Sequence, residues 1–489
     1  MNISITTKAT GKILKTMSLF FLLPALVGVL FRDFWSVKIF VVSGLIAYLA
    51  GFLLNPEMFG EKFRNDVKKS EALAIVAISW IFVSLLSAVP YLFYGFSPLN
   101  ALFEAVSGIT TTGSTILTES DFKIFPETMF FWRALTQWLG GMGIIVLFIA
   151  VLPQFAVAGR QMFSAEAPGP TDNRLTPRIK DTAAILWKMY LLFTALELII
   201  LYAAGMPLFD AICYSFSTVS SGGLSPNSAG IIGYDGNVFI RVVMFFTFLS
   251  GVGYAMLYKV FRHFDFSALK KNEEFWVYTI FTLVCGTATA LILYFSGYYP
   301  TLAKSFGEAF FQVISILTSS GFVTSDYTAW GFNAQMVLLL LMFSGACAGS
   351  TSGGLKIIRL IFLYKYIKSE LKRIFHPNAV FPVVVNGNVV PPEVMRQMIS
   401  FMVFYVLIAF ISGYAASLTE QSLEIGFSGA ISSLGNIGPG FGKLGPISNF
   451  DFLKSSTKMI YIFDMLVGRL EIIPFLALFS IDFSSIKKG

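Results

Sequence analysis

The stretch Ser107-Gly108-Ile109-Thr110-Thr111-Thr112-Gly113-Ser114 decides the fold. It sets a run of hydroxyls closed by glycine in the middle of an apolar chain, and the chain repeats it. Val219-Ser220-Ser221-Gly222, Thr318-Ser319-Ser320-Gly321 and Gly435-Asn436-Ile437-Gly438 follow at intervals of roughly 100–120 residues, a spacing suited to a repeated membrane unit. Aligning the four glycines stacks Ser107, Phe216, Ser315 and Ser432 in one column, and Ile109, Thr218, Leu317 and Leu434 in another. Glycine allows backbone dihedrals that side chains forbid, so such turns expose carbonyl oxygens. Four of them around one axis can replace the water shell of a cation.

The rest of the chain suits that reading. Of 489 residues, 55% are hydrophobic, 13% are charged and 52 are Phe. A soluble domain carries about a quarter charged residues, so this chain belongs in a lipid bilayer. Lys8, Lys12 and Lys15 precede an apolar segment without a small-residue cleavage site, which reads as a retained first span. The formal charge of +7 is spread over loops and points to no nucleic-acid partner. Cys213, Cys285 and Cys347 lie scattered in apolar segments, and His263 and His376 sit beside basic loop residues. Neither set has the spacing of a disulfide frame or a zinc site. An enzyme is not expected.

Apolar segments of about 20 residues cross a bilayer as helices. The expected fold is therefore an all-α integral membrane protein of ten transmembrane helices and four re-entrant half-helices, arranged as four helix–pore loop–helix repeats around one pore. A leading pair (1–71) comes first. Repeat one with a cytoplasmic loop (72–181), repeat two (182–272), repeat three with a cytoplasmic segment (273–396) and repeat four (397–489) follow. With both termini cytoplasmic, roughly 22 of the 35 Lys and Arg fall on the cytoplasmic side and roughly 9 outside, in line with the positive-inside rule. Each half-helix then ends at its turn, with the negative end of its dipole aimed into the membrane. The expected ligands of a cation are mainly the carbonyls of 110–113, 219–222, 318–321 and 435–438. Hydroxyl capping is the other role open to Thr111, Ser220 and Ser319.

Two features fall below the turns. A glycine recurs in each second helix (Gly141, Gly251, Gly349, Gly468), and in repeat three it expands into Ser344-Gly345-Ala346-Cys347-Ala348-Gly349-Ser350-Thr351-Ser352-Gly353-Gly354. So many glycines weaken a helix, each by about 1 kcal/mol against alanine. An unwound gating loop containing Gly345, Gly349, Gly353 and Gly354 is one expectation, and close packing through small residues is the other. Arg469 is the second feature. An arginine at span depth needs a partner or water, either as a cationic barrier beneath the turns or in an ion pair with Glu471 or Asp464.

The four turns, together with Gly140–Val146, Gly349–Arg359 and Gly468–Ile472, resemble the Trk/Ktr/HKT superfamily of potassium transporters. The leading pair and Glu166–Tyr190 look most like its bacterial TrkH branch. The resemblance implies a channel-like potassium uptake subunit of the bacterial cytoplasmic (inner) membrane, with potassium in the filter and no bound organic cofactor. It implies a homodimer with one pore per protomer, and a cytoplasmic nucleotide-binding regulator of the TrkA type that controls the gate. The filter glycines it assigns are Gly113, Gly222, Gly321 and Gly438, and the gate is the 345–354 loop with Arg469. Glycine at all four filter positions goes with potassium over sodium. The basic segments Lys365–Arg373 and Arg174–Lys180 are candidate docking surfaces.

A sodium- or proton-coupled potassium symporter is the alternative, since coupled transporters also use repeats and broken helices. The turns carry no acid, but Glu104 lies in the first half-helix and Glu197 in a span. The Gly349–Lys356 run lacks the Gly-Lys-Ser/Thr ending of a phosphate-binding loop.

Overall fold

The computed structural model describes residues 3–55, 69–143, 179–234, 236–472 and 474–475. The end of the Gly140–Val146 stretch, most of the Arg174–Lys180 segment and the end of repeat four lie outside them.

The leading pair is Ile3–Met17, continued through a 3-10 turn into Leu22–Leu30, and then Phe34–Leu54. The chain reverses at Arg32, whose φ of 58° is left-handed, and the Asp33 carboxylate caps the returning helix by accepting the Ser36 N–H at 3.1 Å. The two helices cross where Gly11 meets Gly51. A Cβ on either would stand 2.7 Å from the other's carbonyl oxygen, so glycine sets the approach.

Four units follow, each opened by a long outer helix: Lys69–Phe93, Ile179–Ala203, Glu273–Phe295 and Pro392–Glu420. With the leading pair these make six helices, among the described residues, that are long and apolar enough to cross a membrane. The second, inner helix of each unit is what separates six from the expected ten. In the second unit it is bent by 105° between Asn237–Ser250 and the segment from Tyr254. In the third it splits into Phe332–Met342 and Ile357–Phe375, and in the first and fourth its continuous helix is Glu127–Gly141 and Ser455–Arg469. A two-stranded antiparallel hairpin, Val384–Val385 with Asn388–Val389, departs from the all-helical expectation. Asn386 at its tip has a φ of 50°.

Between outer and inner helix each unit carries a half-helix: Pro98–Ile109, Leu208–Val219, Leu302–Leu317 and Leu423–Gly435, of 12, 12, 16 and 13 residues. At about 1.5 Å per residue these reach about 18–24 Å, less than the ~30 Å of a hydrocarbon core. Ser97, Thr301 and Ser422 start three of them by accepting the N–H of the residue three positions on, each at 3.3 Å.

Candidate functional site

All four half-helices end in the same way. The residue one past (Asn436) or two past (Thr111, Ser221, Ser319) the last helical one turns left-handed, with φ of 57° at Thr111, 57° at Ser221, 53° at Ser319 and 52° at Asn436. Its N–H and the next one reach back to carbonyls of the last turn. Thr111 and Thr112 bond Gly108 and Ser107 at 3.0 and 2.9 Å, Ser221 and Gly222 bond Thr218 and Ser217 at 2.9 and 2.8 Å. Ser319 and Ser320 bond Ile316 and Ser315 at 2.9 and 2.8 Å, and Asn436 and Ile437 bond Ser433 and Ser432 at 3.2 and 2.9 Å. This is the Schellman termination, with a hydroxyl or Asn where glycine is usual. The glycine comes two residues later, with a second positive φ: Gly113 84°, Gly223 75°, Gly321 71°, Gly438 105°.

That geometry moves the second turn by one residue. Backbone equivalence aligns Ser220-Ser221-Gly222-Gly223, and not Val219–Gly222, with Thr110–Gly113. The equivalents of Ser107 and Ile109 are then Ser217 and Val219 rather than Phe216 and Thr218. Two adjacent glycines hide this in the sequence; only the left-handed residue says which of them closes the turn. The uniform column Ser107, Ser217, Ser315, Ser432 was the available clue, because a shift of one replaces its odd Phe216 by serine. The Val219 carbonyl is instead taken by Thr351 Oγ1 at 3.0 Å and the Tyr254 hydroxyl at 3.3 Å.

The second glycines close a ring. A Cβ on Gly113 would overlap the Gly222 carbonyl oxygen, one on Gly223 that of Ser320, and one on Gly321 that of Ile437. One on Gly438 would stand 2.7 Å from that of Thr112. Each unit thus touches the next through backbone, and the fourth returns to the first. Side chains reinforce the seam: Asn436 Nδ2 donates to Thr112 Oγ1 at 2.9 Å, and Ser114 Oγ to the Gly438 carbonyl at 3.0 Å. Ser220 is a hydroxyl cap, donating to the Ser217 carbonyl at 3.1 Å.

The inner helices meet the underside of this ring. A Cβ on Gly140 would overlap the Ile109 carbonyl, and one on Gly468 that of Leu434, the equivalent residue. Gly141 and Gly251 face the next unit's turn at Ser220 and Thr318. By that register Arg469 occupies the position of Gly141 and Gly251, and Gly468 that of Gly140. In the third unit it is Gly353, beneath the Gly435 carbonyl, that makes the close approach; Gly349 faces open space.

The expected unwinding of the third inner helix is present between Met342 and Ile357. The loop is pinched at its neck by a bridge between Ser344 and Leu355, with the Gly345 N–H donating to the Leu355 carbonyl at 2.6 Å. Its crown docks on the left-handed residues above. Thr351 Oγ1 lies 2.9 Å from Ser221 Oγ, and the Gly353 N–H donates to Ser319 Oγ at 2.5 Å. Lys356 Nζ folds under the crown onto the Ser352 carbonyl. Glu274, at the start of the third outer helix, accepts the Ala348 N–H at 2.6 Å and the Ile358 N–H at 3.2 Å, gripping both limbs of the loop.

Arg469 donates to three carbonyls, those of Thr351 (2.9 Å), Gly140 (2.7 Å) and Gly141 (2.6 Å), and so ties the loop to the first unit. The carboxylates expected to pair with it are engaged elsewhere. Glu471 forms an ion pair with Arg359, and Asp464 accepts from Ser412 Oγ at 2.7 Å. Glu104 pairs with Arg133 at 2.8 Å, while Glu197 is fully buried on the second outer helix beside Thr218.

Four half-helices converging on a closed ring of backbone, with a broken helix beneath it, define a repeat-built membrane transport protein. The family model described as "TrkH: Cation transport protein" matches residues 59–487. The chain belongs to the TrkH family. It is 34% identical to the Trk system potassium uptake protein TrkH of Salmonella typhimurium, over 99% of both chains. It is also 34% identical to TrkG of Escherichia coli, over 94% of each. The crystal structure of the potassium transporter TrkH from Vibrio parahaemolyticus superposes with a TM-score of 0.86 at 30% identity, over 98% of both chains.

Proposed function

We propose that this chain takes up potassium across a bacterial cytoplasmic membrane through a channel-like pore. Four turns (110–113, 220–223, 318–321 and 435–438) form its carbonyl filter, and both termini are cytoplasmic. The closed ring of glycine-to-carbonyl contacts carries this reading: it brings four backbone turns of one conformation together at the negative ends of four half-helices. Carbonyl dipoles so arranged substitute for a cation's hydration shell, and the helix ends add about half an elementary charge each. The 344–355 loop, hung between the turns above and Glu274 below, is the gate, with Arg469 as its latch. The relatives' names support potassium as the ion. A homodimer and a cytoplasmic nucleotide-binding partner of the TrkA type, docking near Lys365–Arg373, complete the proposal.

Rubidium flux into proteoliposomes holding the purified chain tests it, with potassium or sodium as competitor. Flux without an imposed gradient, blocked by potassium far better than by sodium, is expected, and Gly113→Ser should let sodium compete. The buried Glu197 favours one second reading, a sodium- or proton-coupled symporter. Flux that needs a sodium or proton gradient and loses that need in Glu197→Gln would put the symporter first.

A further inference from the structure

The four turns are close copies, yet one of them is held from behind. The carbonyls at equivalent positions are those of Thr112, Gly222, Ser320 and Ile437, each lying against the preceding unit's glycine. Among the described residues, only the Gly222 carbonyl accepts a side-chain donor, Gln137 Nε2 at 2.6 Å. The same amide's Oε1 accepts the Leu224 N–H at 3.2 Å, so Gln137 brackets Gly223 from both sides. Gln137 is fully buried on the first unit's inner helix.

One helical turn earlier on that face stands Arg133, also buried. Its Nη1 donates to the Ser225 carbonyl at 3.3 Å, one residue beyond Leu224. Its Nε pairs with Glu104 at 2.8 Å, and its Nη2 donates to Thr115 Oγ1 at 3.1 Å. Glu104 in turn accepts the Ile116 N–H and both contacts from Thr115 Oγ1, all at 3.1 Å. A buried arginine close to a cation path would repel the ion, and the carboxylate cancels that charge while fixing the guanidinium. The register derived above places Thr247 and Val243 at the matching positions of the second inner helix, and Met465 and Tyr461 on the fourth. None of these reproduces the pair.

We propose that Gln137 is a specificity-determining positioning residue. It fixes the angle of one filter carbonyl, and the Arg133–Glu104 pair sets the height of the strand that follows. This also accounts for glycine at 222, where the other turns carry Thr, Ser or Ile: a Cβ there would overlap the Gln137 amide. A side-chain donor drawing on that oxygen biases its lone pairs and its reach, and the filter distinguishes potassium from sodium by both.

The inference rests on the turns being the filter, and the test separates the two. Rubidium flux in proteoliposomes is measured with sodium or potassium as competitor, for the native chain, Gln137→Leu, Gly113→Ser and Thr247→Val. Gln137→Leu should shift the sodium-to-potassium competition ratio about fivefold to tenfold, the weight of one hydrogen bond, while Thr247→Val leaves it unchanged. Flux lowered for both ions with an unchanged ratio makes Gln137 merely structural and overturns the proposal, provided Gly113→Ser shifts the ratio. An unchanged ratio in Gly113→Ser as well overturns the filter itself. If Gln137→Leu does not accumulate, Gln137→Met serves: it is close in size and lacks the donor, and the same ratio decides. Gly222→Ser should accumulate better in a Gln137→Ala background than alone; no difference between the two backgrounds contradicts the packing account of Gly222.

Discussion

In the ring of turns, Thr111, Ser221, Ser319 and Asn436 hold φ between 52° and 57°, and each is followed two residues later by a left-handed glycine. One layer below, the equivalent positions of the inner helices are Gly141, Gly251, a loop presenting Gly353, and Arg469. The upper layer keeps its backbone and lets side chains vary, from Thr to Ser to Asn. The lower layer keeps almost nothing. The difference teaches where function needs symmetry. In the pore proposed above, an ion on the axis would meet four like sets of carbonyls, whereas a plug would need only one moving part and something to hold it.

The largest effect should come from disturbing the upper layer. Gly223→Ala places a Cβ at a left-handed residue and against the Ser320 carbonyl backbone, which cannot yield, at about 2–5 kcal/mol. Rubidium flux should fall by more than tenfold. Gly222→Ala, one residue earlier, meets the flexible end of Gln137 and should lose much less. Equal losses would sink the register assigned to the second turn.

The lower layer should respond in the opposite direction. Arg469→Ala frees the carbonyls of Thr351, Gly140 and Gly141, and charge-assisted bonds are worth about 1.5–3 kcal/mol. Flux of the chain alone should rise several-fold at unchanged ion preference. A fall in flux with preference altered would assign Arg469 to the filter instead of the loop. Glu274→Gln should give the smallest change, since an amide oxygen still accepts from Ala348 and Ile358, but more weakly. A rise of about twofold or less is expected, and Glu274→Leu should exceed it. Identical behaviour of the two variants would show that Glu274 does not hold the loop.

The repeat itself was legible in the sequence because hydroxyl–glycine turns in an apolar chain are rare, and four of them share a spacing. So was the unwinding in the third unit, which the density of glycines between Ser344 and Gly354 announces. The register of the second turn was not, because Gly222 and Gly223 are indistinguishable until the left-handed residue is known. Nor was the glycine beneath the fourth turn: Gly349 and Gly353 sit in one run, and only folding brings Gly353 under Gly435. Partners of buried charges were the least accessible. Glu471 stands two residues from Arg469 yet pairs with Arg359, from another unit, and the three carbonyls that Arg469 holds leave no sign in any pattern of side chains.

Arg469 has one further consequence. A pore assembled from four identical chains can carry no feature in a single copy, so an arginine at this level would come as four guanidinium groups crowding one axis. Writing all four quarters into one polypeptide lifts that restriction. In the proposed pore the walls can stay fourfold while the floor carries one guanidinium, placed where it fastens a single strand to the first unit.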